Sequence, residues 1–341
     1  MNLFFKFLSF LLLLIALESC SIPEVQPSSN SLIVLASNFL HAKDSALFLN
    51  FEKQQNIKVK IKHMPTDSII SHFKQYGYNS EFDGVIMHST YTLDKLSKEK
   101  ILHPLSSQLE QAPKGAKSPK NDWLVFGLDP YVIDFGRGET KNIAYNEFTH
   151  DVSWEPVLTK EESAAFFASV LHQFGRNNIH KSVKWLQEMK DHMRLSETTD
   201  TLPKASFTLT RFSHAQKAYH NFILPTQGRI GVFYDGIGVA SIQHSKKYAE
   251  ITALQLYLMK GFNNQAITGK LFLFPIDNPN GHSDFKFQNN YPSFFRCTPF
   301  EAAKEYRDME RVLRKLDINF PKESKQFDAK KITELEDSLV S

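Results

Sequence analysis

The chain has 341 residues, of which 42% are hydrophobic, 23% charged and 13% aromatic, with 40 Lys and Arg against 37 Asp and Glu and only two cysteines. These values belong to an ordinary globular protein and exclude disordered, collagenous and disulfide-scaffold chains. The length corresponds to about two domains, and a formal charge of +3 offers none of the concentrated basic surface that marks a dedicated nucleic-acid binder.

From Phe7 to Leu17 the sequence is apolar except for Ser9, with Lys6 before it and Glu18, Ser19 and Cys20 after it. A run of about 11 residues cannot cross a hydrocarbon core that needs about 20 helical residues, but it fits the apolar region of an export signal. Leu17-Glu18-Ser19-Cys20 resembles a bacterial lipobox, with Glu18 as the departure from the pattern. Such a boundary predicts cleavage before Cys20 and attachment of diacylglycerol to it, with the polar stretch Ser21 to Ser31 as a flexible tether. An ordinary secretory signal is the alternative. Lipidation of Cys20 leaves Cys297 with no disulfide partner, and its setting in Phe294-Phe295-Arg296-Cys297 suits a buried thiol.

The body opens on a strand-length apolar run, Ser31 to Ser37, followed by helical spacing over Lys43 to Gln54. Ile57 to Lys62 alternates apolar residues with lysine and predicts a strand with one face in the core. Thr66-Asp67-Ser68 offers N-cap chemistry to a helix through Phe73 and Tyr76. Phe82 to Met87 reads as a third strand and Leu93 to Lys98 as a further helix. This alternation predicts an open, mostly parallel α/β sheet, in which ligands sit beyond the carboxyl ends of strands and near helix N-termini. Ser37, Asn38 and His41 follow the first strand, and His88, Ser89 and Thr90 follow the third. Both sets suit either ligand binding or simple helix capping.

Farther along, Pro130 to Ala144 reads as a strand pair around Gly136-Arg137-Gly138, and Asp129, Asp134 and Glu139 beside it read as solvated loop charges. Lys160 to Phe174 and His180 to Met193 have helical spacing, and Ala205 to Thr210 reads as a strand. Gly228 to Ala240 concentrates four of the 14 glycines without a P-loop or dinucleotide fingerprint, so bends in a strand pair explain them. Lys246 to Gly261 predicts an amphipathic helix, and Leu271 to Ile276 a closing strand. Zinc-protease, Gly-x-Ser-x-Gly and paired-cysteine patterns do not occur, which argues against an enzyme.

Four places carry a resemblance to a known family. They are Phe51 to Val59 after the opening strand; Phe82-Asp83-Gly84-Val85-Ile86 before Ile101-Leu102-His103-Pro104-Leu105; Leu224 to Gly231 leading into Gly238-Val239-Ala240; and Ala249 to Gln265 running to Phe274-Pro275-Ile276. In this order they resemble the bacterial extracellular solute-binding proteins of ABC importers, the ferric-ion-binding branch in particular. The resemblance implies a two-lobed, periplasmic-binding-protein-like (type II) α/β fold with a hinge and an inter-lobe cleft. It divides the chain into a signal (1–19), a tether (20–31), a first lobe (32–126 and 228–275), a second lobe (127–227 and 276–327) and a tail (328–341). It further implies a monomer at the cell envelope, delivering a small solute or ion to permease subunits.

The ligand is left open by the residues themselves. Ferric-binding relatives use adjacent tyrosines with histidine and carboxylate, whereas the corresponding strand here reads Arg211-Phe212-Ser213-His214. His41, His88, Tyr219 and His220 suit a bound metal ion. Arg211, Ser213, Ser37, Asn38, Ser89 and Thr90 suit a small oxyanion or carboxylate, through a planar guanidinium, hydroxyls and helix N–H groups. Arg211 has the alternative of a surface position on an edge strand. A rival to transport is a surface lipoprotein of the same fold that acts as an interaction module without a small ligand.

Overall fold

A computed structural model describes residues 31–37, 40, 42–112, 116–135, 152–154, 193–195, 207–217, 219, 221–223, 234–271 and 273–276. Cys20, Asn38, His41, Glu139, His220, Cys297, the helix expected over 160–174 and all but the last residue of the helix expected over 180–193 lie outside them; Met193 itself is in a strand.

Strand β1 (Ser31–Ala36) pairs in parallel with β2 (Lys58–His63) and β3 (Gly84–Met87). The Lys58-Val59-Lys60-Ile61-Lys62 alternation behaves as expected, with Val59 and Ile61 buried and the lysines exposed. Between β1 and β2 the chain winds first as a 3-10 helix (Ala42–Phe48) and then as α1 (Leu49–Gln55), which ends on Asn56 in the left-handed conformation. Helix α2 (Thr66–Tyr76) corrects the expected capping: Pro65 precedes it without a side-chain cap, and the Ser68 amide donates to the Pro65 carbonyl. Helix α3 (Thr90–Lys98) begins earlier than the apolar spacing implied, because the Ser89 hydroxyl accepts from the Tyr91 amide.

Of the strand pair expected over 130–144, residues 130–134 form the end of one long buried strand, β4 (Leu124–Asp134), and 136–144 lie outside the described residues. Short strands β5 (Val152–Trp154), β6 (Met193–Leu195), β7 (Phe207–Arg211) and β8 (Phe222–Ile223) follow, with helix α4 (Phe212–Lys217) directly after β7. The glycine-rich segment supplies β9 (Tyr234–Ser241), which leads to α5 (Tyr248–Met259), α6 (Gly261–Leu271) and β10 (Phe274–Pro275). The strand order is β2-β1-β3-β9-β4-β7-β5-β6, with β8 and β10 also on β4. The sheet is mixed, since β9 runs antiparallel to both β3 and β4.

Side-chain alternation divides the interior into two layers. Leu32, Val34, Ile86, Leu124, Phe126, Ile237 and Val239 meet Phe51, Leu254 and Leu258 on one face. Leu35, Val85, Met87, Val125 and Ala240 meet Ile69, Phe73, Leu93 and Leu96 on the other. The second layer continues through Val132 to Phe212, so both sheet groups share it.

Strand β4 holds the groups together by changing partners along its length. Residues 124–130 pair with β9 and 127–128 with β10, whereas 131–134 pair with β7 and 133–134 with β8. The expected lobe boundary at 126 and 127 falls inside this strand, while the change of partners falls between Pro130 and Tyr131. Close packing of β9 demands glycine at 238: a Cβ there would press on Leu93 Cδ1 and lie 2.8 Å from the Leu124 carbonyl oxygen. We expect Gly238→Ala to lower stability by about 1–3 kcal/mol, read as a drop in the urea midpoint at unchanged slope.

Candidate functional site

At the carboxyl end of β3 the chain turns into α3, and the residues of that turn meet the strand exchange on β4. Asp129 on β4 lies directly opposite Asp235 on β9, and Tyr131 opposite Arg211 on β7. Asp129, Asp235 and Arg211 are completely or almost completely buried.

Asp129 is surrounded by donors. His88 Nε2 lies 2.7 Å from Oδ2, the Ser213 hydroxyl donates to the same oxygen at 2.6 Å, and the Ser213 amide donates to Oδ1 at 3.0 Å. Arg211 Nη1 stands 4.0 Å from Oδ2. The His88 turn is fixed from behind, because the His88 amide donates to the Ser37 hydroxyl at 3.0 Å.

Asp235 repeats the arrangement. Its Oδ1 accepts from the Thr90 hydroxyl at 2.9 Å, the Thr90 amide at 3.3 Å and the Gly236 amide at 2.7 Å. Its Oδ2 accepts from Arg211 Nη2 at 3.2 Å. The guanidinium also sits over the Tyr131 ring, 5.3 Å from its centroid.

The structure therefore brings together Ser37, His88, Thr90, Arg211 and Ser213, and places Ser89 beside them as the cap of α3. Arg211 is interior, which overturns its edge-strand alternative, and Asp129 and Asp134 are buried, which overturns their reading as solvated loop charges. Of the donors expected to hold an external oxyanion, Arg211, Ser213 and Thr90 are engaged with the chain's own carboxylates. Asp129 was read as solvated and Asp235 was not singled out, although both left a signal in the sequence. Each interrupts an apolar strand, Leu124 to Ile133 and Tyr234 to Val239, and a charge at such a place is buried with its partners.

The expected metal ligands do not assemble among the described residues. His88 faces Asp129, and Tyr219 stands 85% exposed after α4. No group of three or more His, Cys, Asp or Glu among the described residues is placed to hold a metal ion.

Burial alone would push the Asp129 pKa upward, but the His88 hydrogen bond and charge, the Arg211 charge and the Ser213 hydroxyl outweigh it and hold the carboxyl below its ordinary 3.8. A lowered folded-state value means that the stabilisation is complete above the ordinary aspartate pKa and is lost as pH falls through the folded value. We expect Asp129→Asn to cost about 3 kcal/mol at pH 7, measured by urea unfolding. The gap to the native protein should narrow below about pH 4; a gap constant from pH 7 to pH 3 would remove ionisation of Asp129 as its cause.

No family profile matches the chain. The iron uptake protein A1 of Synechocystis is 24% identical over 133 residues, which covers 38% of this chain and 37% of that relative. The likeness in structure is far broader. The Trichodesmium protein IdiA (FutA), solved with iron and citrate, superposes with a TM-score of 0.70 at 16% identity, covering 85% of this chain and 100% of that one. The ferric iron-binding protein A of Mannheimia haemolytica, solved in an open conformation, also gives 0.70 at 16% identity, over 84% and 98%.

The fold is that of the ferric-binding proteins. It is the two-lobed, type II α/β fold that the resemblance implied. The solved proteins are covered almost completely, so the likeness extends over both of their halves. Among the described residues no helix is long and apolar enough to cross a membrane.

Proposed function

We propose that the chain is the solute-binding component of an ABC importer, tethered at the cell envelope through Cys20, that captures a small polar solute in the cleft between its lobes. The observation that carries this reading is the fold match over 98–100% of the solved ferric-binding proteins. The β3–α3 turn and the β7–α4 turn meet at the strand exchange, where a cleft between the halves would have its floor. Names of the similar proteins favour iron as cargo; a small oxyanion or carboxylate is the alternative, and it would have to compete with Asp129 and Asp235 for Ser213, Thr90 and Arg211. Transport needs no catalytic group, and the cargo is a substrate rather than a resident cofactor.

Native mass spectrometry of mildly purified protein tests the reading directly. A mass increment of a bound ion, together with small-angle scattering compaction and a thermal shift on adding that ion, is the expected result. Absence of any response to Fe(III), Fe(III)-citrate, Mn(II), Zn(II), phosphate or sulfate would overturn transport. It would favour the second reading, an interaction module of the same fold, which draws support from the engagement of Ser213, Thr90 and Arg211 with Asp129 and Asp235. Anchoring is tested separately by clickable fatty-acid labelling in the native host. Label is expected on the native protein and lost in Cys20→Ala; equal incorporation by both would discard the tether.

A further inference from the structure

Among the described residues one strand, β4, pairs with members of both sheet groups. On both sides of β4 the neighbours change between Pro130 and Tyr131: β9 and β10 before that point, β7 and β8 after it. Pro130 has no N–H to give to a ladder, and the β4–β9 register slips between Val125 and Gly127.

Two side-chain relays cross this joint at β4. The first runs from the His88 ring through the Asp129 carboxylate to the Ser213 hydroxyl and amide. The second runs from the Thr90 amide and hydroxyl through the Asp235 carboxylate to the Arg211 guanidinium. Each begins on the β3–α3 turn, passes through a carboxylate of β4 or β9, and ends on β7 or the first turn of α4. All six residues are buried, so water does not compete for these bonds, and each carboxylate is held by at least three donors.

We infer that Asp129 and Asp235 are positioning residues that latch the two sheet groups at a set angle across the β4 joint. Their side chains act on the cleft through the turns they hold and not by touching a solute. The inference goes beyond the transport reading and stands whether or not a solute is found, because it is tested on the protein alone.

The test places spin labels at Lys60→Cys on β2 and Tyr219→Cys after α4, both exposed positions, in a background with Cys20 and Cys297 replaced by serine. Double electron–electron resonance should give one narrow distance for the latched protein. In D129N/D235N the distribution should broaden at least twofold or gain a second distance. Asp122→Asn is the matched control: Asp122 is also buried and accepts from the Ser97 and Ser118 hydroxyls at 2.5 and 2.6 Å, but wholly within the first sheet group. Its distribution should match that of the parent. If D129N/D235N does not yield folded protein, T90V/S213A removes one hydroxyl from each relay and should broaden the distance in the same direction. An unchanged distribution in the relay variants, or equal broadening in Asp122→Asn, would overturn the latch.

Discussion

Two carboxylates lie directly opposite one another at the centre of this molecule, and the surrounding structure is arranged so that both are tolerated. Like charges facing each other across adjacent strands destabilise a sheet, and an unpaired buried charge costs far more. Arg211 stands near both aspartates, His88 and Ser213 take one, and Thr90 takes the other. The lowered pKa of Asp129 records the balance: attraction from these partners exceeds the penalty of burial.

That constraint reaches outward into ordinary features of the fold. Helix α3 starts at Thr90 because Ser89 caps it and Asp235 accepts from its first amide. Helix α4 starts beside Asp129 because the Ser213 amide and hydroxyl both donate to it. The loop after β1 is drawn in through Ser37, whose hydroxyl receives the His88 amide. Helix N-termini are natural anion sites, and here the anions are part of the chain. The same strand, β4, joins the two sheet groups and carries the residue that most needs compensation, so the joint and the charge cluster form one unit. A fold held in common with proteins at 16% identity therefore has, in this chain, a strand exchange braced by internal ion pairing.

Much of the stretch from 31 to 98 was legible because its periodicities are strong. The lysine alternation of β2 fixed which face is buried, and the alternation of strands with helices gave the α/β class together with the crossovers of β1, β2 and β3. The site was legible in part. His88, Thr90, Arg211 and Ser213 were singled out by residue type and by position at strand ends, and the fold does bring them together. Their partners were not, because Asp129 and Asp235 are far apart in sequence and a single acidic residue beside Pro130 or Gly236 reads locally as a turn. The length of β4 was misjudged for a similar reason: Gly127 and Pro130 look like interruptions, yet a bulge absorbs the first, and the change of strand partners accommodates the second.

By itself the sequence determined the element types, the apolar faces and the kinds of donor available at the strand ends, since these depend on neighbours within a few residues. Which acceptor each donor meets was decided only by tertiary structure. Register across β9, β4 and β7 brings residues 129, 211 and 235 to one place, and only there does an arginine become the counter-ion of two aspartates. A local pattern cannot encode that meeting, because the energy of a buried charge is set by everything that replaces its water.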